Sequence, residues 1–459
     1  MKYVFYLYSL FILLEIIKAK KNITIPFQIQ NYNINVNNEK GNIIDNYLYK
    51  DISVNLSIGN PPQFIQLSPC LGEYTTFIIS KDAKGYEGGI YNKNNSFSYK
   101  SLFINEEPEF YIFQTFSEGI KSSENLIFGK DSIEVNNLEF ILATEIGGNN
   151  CYNPYCEVLT QPGILGFEVS QVPYQIQENV TNTNFISQLK KNDLISDYYF
   201  YFHFNTETKG NIIIGIKPDE YNNTNYKNKE FFHVKAFVSS NKYLDWSILF
   251  DSISYGETKM IERPIIFRIE FGLIIGYYEW EKVLKNEFFD KLIEEKKCFR
   301  NYIHELGNTA YFYYCNDSKD ISKFQSFDFY INKDNFKFTL TKDDLFIKVG
   351  DKFFFLMIFG GFNDLFFGYP FLKKYQLVFN QDSKTIGYYK DINIDKSSNI
   401  VYYIIIIILG IILLALIIIG INIYIKNKIK KKNATELSDE ENGKNNKNNN
   451  LINDEDLIN

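Results

Sequence analysis

From about Tyr47 to Lys390 the chain sets short runs of Ile, Val, Phe and Tyr between Gly, Asn, Asp and Pro, the punctuation of strands and hairpins. "FYFHFN" (200–205), "NIIIGI" (211–216), "FDFYIN" (327–332) and "FKFTLT" (336–341) follow a period of two and predict half-buried strands. Apolar residues recur at three- and four-residue steps in "NFISQLKKNDLI" (184–195) and "EWEKVLKNEFFDKLIEEKK" (279–297), which predict helices. The pattern is that of a mostly-β region with a few short helices. One helix falls in each half at a comparable offset after a Gly-containing apolar run, which hints at an internal duplication.

Two apolar runs break this rhythm. Val4 to Leu14, after Met1 and Lys2 and before the small residue Ala19, is too short to span a bilayer and predicts a signal peptide over 1–20. Ile400 to Ile421 is almost unbroken and long enough to cross a hydrocarbon core. Lys426, Lys428, Lys430, Lys431 and Lys432 follow it, so the expected arrangement is a single-pass type I protein with a transmembrane helix over 400–425. The ectodomain would then be lumenal or extracellular. The remainder, 426–459, is rich in Asn, Asp, Glu and Lys and predicts a disordered cytosolic tail.

With 459 residues the chain has room for more than one core. Its 42 Phe and 35 Tyr against 3 Met and 2 Trp, with abundant Asn, Ile and Lys, fit AT-rich coding and say little of function. A net charge of -7 without a basic stripe argues against nucleic-acid binding. Sequons at Asn22, Asn55, Asn94, Asn179, Asn222 and Asn316 suit an exported, glycosylated region. Five cysteines fit an oxidising compartment. Cys151 and Cys156 are close enough to close a small loop, Cys298 and Cys315 bracket a longer one, and Cys70 is left over. His203, His233 and His304 are the only histidines, and no metal or other cofactor is expected.

The two halves share a grammar. "SIGNPPQ" (57–63) leads through a strand to "SPCLG", followed later by "PGILGFE" (162–168); "PIIFRIEFGLIIGYYEW" (264–280) is followed by "LFFGYPFLKKYQLVFNQDSKTIGYYK" (365–390). The glycines of Ile164-Leu165-Gly166 and Phe366-Phe367-Gly368 mark places where chains pass closely. This series resembles the pepsin-like aspartic proteases over about residues 47–390. The resemblance implies a bilobal, mostly-β fold, with one lobe over 47–195, the other over 196–392, and an N-terminal extension over 21–46. It also places Cys298 and Cys315 where the family's second-lobe disulfide tends to lie.

In that family each lobe offers an Asp-Thr/Ser-Gly turn, and the two carboxylates share a proton because like charges so close cannot both ionise. Counting on from "GNPPQ", the first Asp position falls on Cys70, with Leu71 and Gly72 after it. Anchored on "GLIIGYYEW", the second falls on Arg268, with Ile269 and Glu270 after it. The family's flap tyrosine aligns with Phe116. Asp251, in "SILFDSISYG", is a weaker candidate for a catalytic acid, since Ile253 stands where a glycine would. A guanidinium facing Cys70 would favour a thiolate, against the plainer reading of a small buried hydrophobe; Glu270 is a natural ion-pair partner for Arg268. The expectation is a monomeric, membrane-anchored, catalytically degenerate homologue that binds peptide or protein in its cleft. The alternative is an active atypical aspartic endopeptidase.

Overall fold

A computed structural model of the protein describes residues 21–30, 51–86, 88–102, 109–112, 115–129, 132–146, 162–169, 184–238, 244–305, 308–360, 364–392 and 407–430; side chains at 30, 51, 109–117, 223, 304, 305 and 308 lie outside that description. The chain forms two compact units, Met1–Lys390 and Asp391–Asn459. The first is built mostly of strands in three sheets. The largest sheet runs through segments of both halves: Thr385–Asp391, Val378–Asn380, Tyr199–Phe204, Lys209–Ile214, Ile23–Gln30, Asp51–Ile58, Gln63–Cys70, Gly163–Gly166, Phe77–Lys84, Ile133–Ile146 and Thr115–Phe128 are successive neighbours. A second sheet carries Ile265–Phe267, Leu365–Phe367, Ile274–Tyr277, Met357–Gly360 and Asn308–Cys315 in that order, and a small third sheet pairs Ser252–Tyr255 with Phe327–Ile331.

The duplication visible in the sequence is a duplication of strand pairing. In the first half, Ser68–Cys70 runs parallel to Ile164–Gly166, and Phe77–Ile78 pairs antiparallel with Gly163–Ile164. In the second half, Ile265–Phe267 runs parallel to Leu365–Phe367, and Ile274–Ile275 pairs antiparallel with Phe366–Phe367. Each of these motifs ends on a glycine under steric demand. A Cβ on Gly166 would lie 2.4 Å from the Tyr74 carbonyl oxygen, and one on Gly368 2.0 Å from that of Phe271. Only the absence of a side chain lets the two segments cross.

The period-two runs form strands at Tyr199–Phe204, Lys209–Ile214, Phe327–Ile331 and Phe336–Leu340, with their apolar faces in the core. The expected helices appear as Phe185–Lys191 and as Tyr278–Leu284 running on through a wide π-type turn into Asp290–Glu294. Burial of aromatics dominates the packing, each fully buried ring contributing about 1.5–3 kcal/mol. Trp246 packs edge-on against Phe200 and Phe379, and its indole N–H donates to the Phe167 carbonyl at 2.6 Å, which links the two halves.

Residues 21–46, expected as an extension, include an integral strand. Ile23–Gln30 buries Ile23, Ile25, Phe27 and Ile29 and pairs with both Lys209–Ile214 and Asp51–Ile58. Cys298 and Cys315 face each other across an antiparallel pair and form a disulfide. Cys151, Cys156, the 1–20 segment and the 431–459 tail lie outside the described residues. In the second unit, Ile407–Lys430 is one helix, long and apolar enough to cross a membrane. It overlaps the 400–425 span read from the sequence and takes in Lys426, Lys428 and Lys430, while 400–406 lie outside the described residues.

Candidate active site

The strand Gln63–Cys70 ends at the turn Cys70-Leu71-Gly72. Its position is fixed by the parallel partner strand, since the Phe167 amide donates to the Cys70 carbonyl at 2.9 Å. Cys70 is buried among Phe77, Ile79, Ile141 and Ile164, so the strand pattern carries its thiol into a core. Sγ lies 3.5 Å from Glu270 Oε1 there. Two hundred residues apart in sequence, the first and second loops therefore touch.

The second loop follows Ile265–Phe267, and its first residue is Arg268. The Arg268 amide donates to the Phe367 carbonyl, and the side chain reaches back toward the first half. Nη1 donates to the Leu71 carbonyl and to Glu168 Oε2, both at 3.1 Å; Nη2 donates to Asp245 Oδ1 at 3.1 Å; Nε lies 3.6 Å from Glu270 Oε1. The planar fork of donors suits such divergent partners better than an ammonium would. Gly72 remains a glycine under new constraint: a Cβ there would stand 2.7 Å from Arg268 Nε and 2.9 Å from Glu270 Oε1. The arginine and the glutamate fill the space in front of it.

Burial governs the electrostatics. Desolvation, with the nearby Glu270 and Glu73, pushes the Cys70 thiol well above its ordinary range, and Arg268 opposes this only in part. Of the two readings of Cys70, the small buried hydrophobe therefore fits and the guanidinium-favoured thiolate does not; burial keeps the thiol protonated. Glu73, 4% exposed, accepts from the Thr75 amide, yet burial raises its carboxyl to about 8. Burial also raises Glu168 and Glu270, although Arg268 pulls both down. Glu270 Oε2 is buried with no hydrogen-bond partner.

The structure brings Cys70, Arg268 and Glu270 together, and Glu270 pairs with Arg268 as its sequence position suggested. Asp251 is elsewhere: its side chain is exposed and accepts from the Asn332 amide at 2.7 Å beside the small sheet. Phe116 sits in Thr115–Phe128 opposite Tyr111 of Glu109–Ile112, a hairpin; its side chain lies outside the described residues. Asn22, Asn55, Asn94, Asn222 and Asn316 are all exposed, and Asn179 lies outside the described residues. Sequence reading did not single out Glu73, Glu168 or Asp245. A signal existed for Glu168, an acid directly after the fully buried run 163–167, and for Glu73, an acid directly after the turn glycine. Among the described residues no group of His, Cys, Asp and Glu is arranged to hold a metal ion.

No curated protein matches the chain. The family model described as eukaryotic aspartyl protease matches residues 53–390, a span that holds both strand motifs, both loops and the disulfide. The chain belongs to the eukaryotic aspartyl protease family.

Proposed function

We propose that this protein is a catalytically degenerate aspartyl protease homologue, anchored by Ile407–Lys430 as a type I membrane protein, that binds peptide or protein ligands in the cleft between its halves. The observation that carries this reading is the pairing at the two loops. Where the family mechanism needs two carboxylates sharing a proton, Cys70 offers a buried thiol and Arg268 a permanent cation held by Glu168, Asp245 and Glu270. Losing one member of a catalytic unit commonly removes about ten-thousand-fold of rate, and here both are replaced. The exposed sequons agree with export into an oxidising, glycosylating compartment.

A second reading, an atypical endopeptidase, draws on one observation: Glu270 supplies a carboxyl that touches the Cys70 thiol. The two readings separate in one assay. Detergent-solubilised full-length protein is incubated with a peptide library from acid to neutral pH, with and without a pepstatin-type inhibitor, and both cleavage and capture are scored. Capture without cleavage is the expected result. Inhibitor-sensitive cleavage abolished by Glu270→Gln overturns the binding reading in favour of the enzyme.

A further inference from the structure

Arg268 joins parts of the chain that are far apart. Leu71 and Glu168 reach it from the first half, Asp245 and Glu270 from the second, at 3.1 to 3.6 Å. The charged and titratable groups facing this guanidinium come from every element around it. Cys70 and Glu73 belong to the turn after Gln63–Cys70, Glu168 follows Gly163–Gly166, Asp245 precedes Ser247–Ile248, Glu270 follows Ile265–Phe267, and Asp364 precedes Leu365–Phe367. One cation cannot balance Glu73, Glu168, Asp245 and Glu270 all ionised in a site where Glu73, Glu168 and Glu270 are buried. The orphaned Oε2 of Glu270 makes the same point, because a full charge on that carboxyl would leave a buried anionic oxygen unsatisfied.

We propose that the Arg268 cluster is a pH-governed tie between the two halves of the molecule: the guanidinium holds the negative charge it can balance, and the tie loosens as further buried carboxyls around it ionise in excess of that one cation. Each ionisation releases one proton to solvent and adds one negative charge to a set that is already in excess. The tie is independent of whether the cleft binds peptide. It also sets the direction of the pH effect. The folded protein holds the Glu73 proton up to about 8 against an ordinary 4.5. The stability linked to that group is therefore complete below the ordinary value and is lost as pH rises through about 8. Glu168 and Glu270, shifted in the same direction, act in the same sense.

The test is thermal unfolding of the detergent-solubilised full-length chain at steps from about pH 4.5 to about pH 8.5, with hydrogen exchange at each step. The midpoint is expected to fall by several degrees across that interval. Amides of Phe167, Arg268 and Tyr369, which bond within the two loop motifs, should lose protection before those of the small sheet Ser252–Tyr255 and Phe327–Ile331. The double variant Glu73→Gln, Glu270→Gln is expected to flatten the dependence. A midpoint that is level or rises with pH overturns the proposal, as does a double variant with the slope of the natural chain. If the double variant does not fold, infrared spectroscopy of the natural chain decides: a protonated-carboxyl band at about pH 6 that is gone by about pH 9 supports the tie, and no such band overturns it.

Discussion

The Cys70 loop and the Arg268 loop occupy matching places in the two halves, each leaving a strand that runs parallel to an apolar-apolar-Gly segment. Their contents are opposite. The first presents a buried thiol among aliphatic and aromatic side chains, with Gly72 behind it. The second presents a guanidinium and a carboxyl that together fill the space Gly72 leaves open. The backbone pairing that positions these loops is held by Gly166, Gly368 and the strand registers, none of which depends on what the loops carry. A scaffold of this kind can keep its shape while the chemistry at its centre changes, because close packing and loop chemistry draw on different residues.

The sharpest way to break the comparison is to place an aspartate at the head of both loops. Cys70→Asp with Arg268→Asp removes the guanidinium and adds two acids to Glu73, Glu168, Asp245 and Glu270. Breaking a buried ion pair from one side costs about 3–5 kcal/mol, and the added buried acids raise the cost further. This double variant is expected to lose most of its folded population at neutral pH and to gain no pepstatin-sensitive cleavage, read by circular dichroism and peptide assay. Adding Glu168→Gln and Glu270→Gly should recover folding; recovery without those two changes would show that the cluster contributes nothing. Arg268→Met alone is expected to cost about 3–5 kcal/mol in chemical denaturation at neutral pH.

Much of the fold was legible because its signals are local. Alternation marks the strands at 199–204, 209–214, 327–331 and 336–340, and the three- and four-residue spacing marks the helices at 185–191 and 278–294. The strand Ile23–Gln30 carries the same alternation, with Ile23, Ile25, Phe27 and Ile29 all buried, but Pro26 interrupts it and no flanking turn announces it. The site was half legible. Counting from the shared motifs placed Cys70 and Arg268, and proximity in sequence suggested the Glu270 pairing. Asp245 carried no such signal and Glu168 only that of an acid closing an apolar run, since what makes them partners of Arg268 is a reach across 23 and 100 residues. For the thiol the sequence offered two readings, and burial among Phe77, Ile141 and Ile164, a property of the assembled core, favours the small buried hydrophobe over the activated thiolate.

A milder test compares the two glycines. Gly368→Ala and Gly166→Ala each force a methyl against a backbone carbonyl that cannot swing aside, and overpacking of this kind costs about 1–3 kcal/mol. The Gly368 contact is the closer, 2.0 Å against 2.4 Å, so its variant should have the lower denaturation midpoint. Equal midpoints would mean that the two halves relax alike and that the duplicated crossing is not under unequal strain.

The smallest effect belongs to Cys70. It is 1% exposed, it packs among apolar side chains, and its contact with Glu270 is a weak one at 3.5 Å. Cys70→Ala deletes a single sulfur and is expected to cost about 1 kcal/mol, within the range for losing one buried group. Cys70→Asp alone should cost clearly more, because the new carboxyl would be buried beside Glu270. Labelling sharpens the contrast between the loops. A thiolate activated by Arg268 would react quickly with a thiol reagent at neutral pH, and the rate would drop in Arg268→Met. A protonated thiol shielded by Phe77 and Ile141 should react only as fast as the protein opens, so its labelling should follow unfolding. Labelling of the native chain in seconds, slowed by loss of the arginine, would reverse the assignment of Cys70 as a core residue.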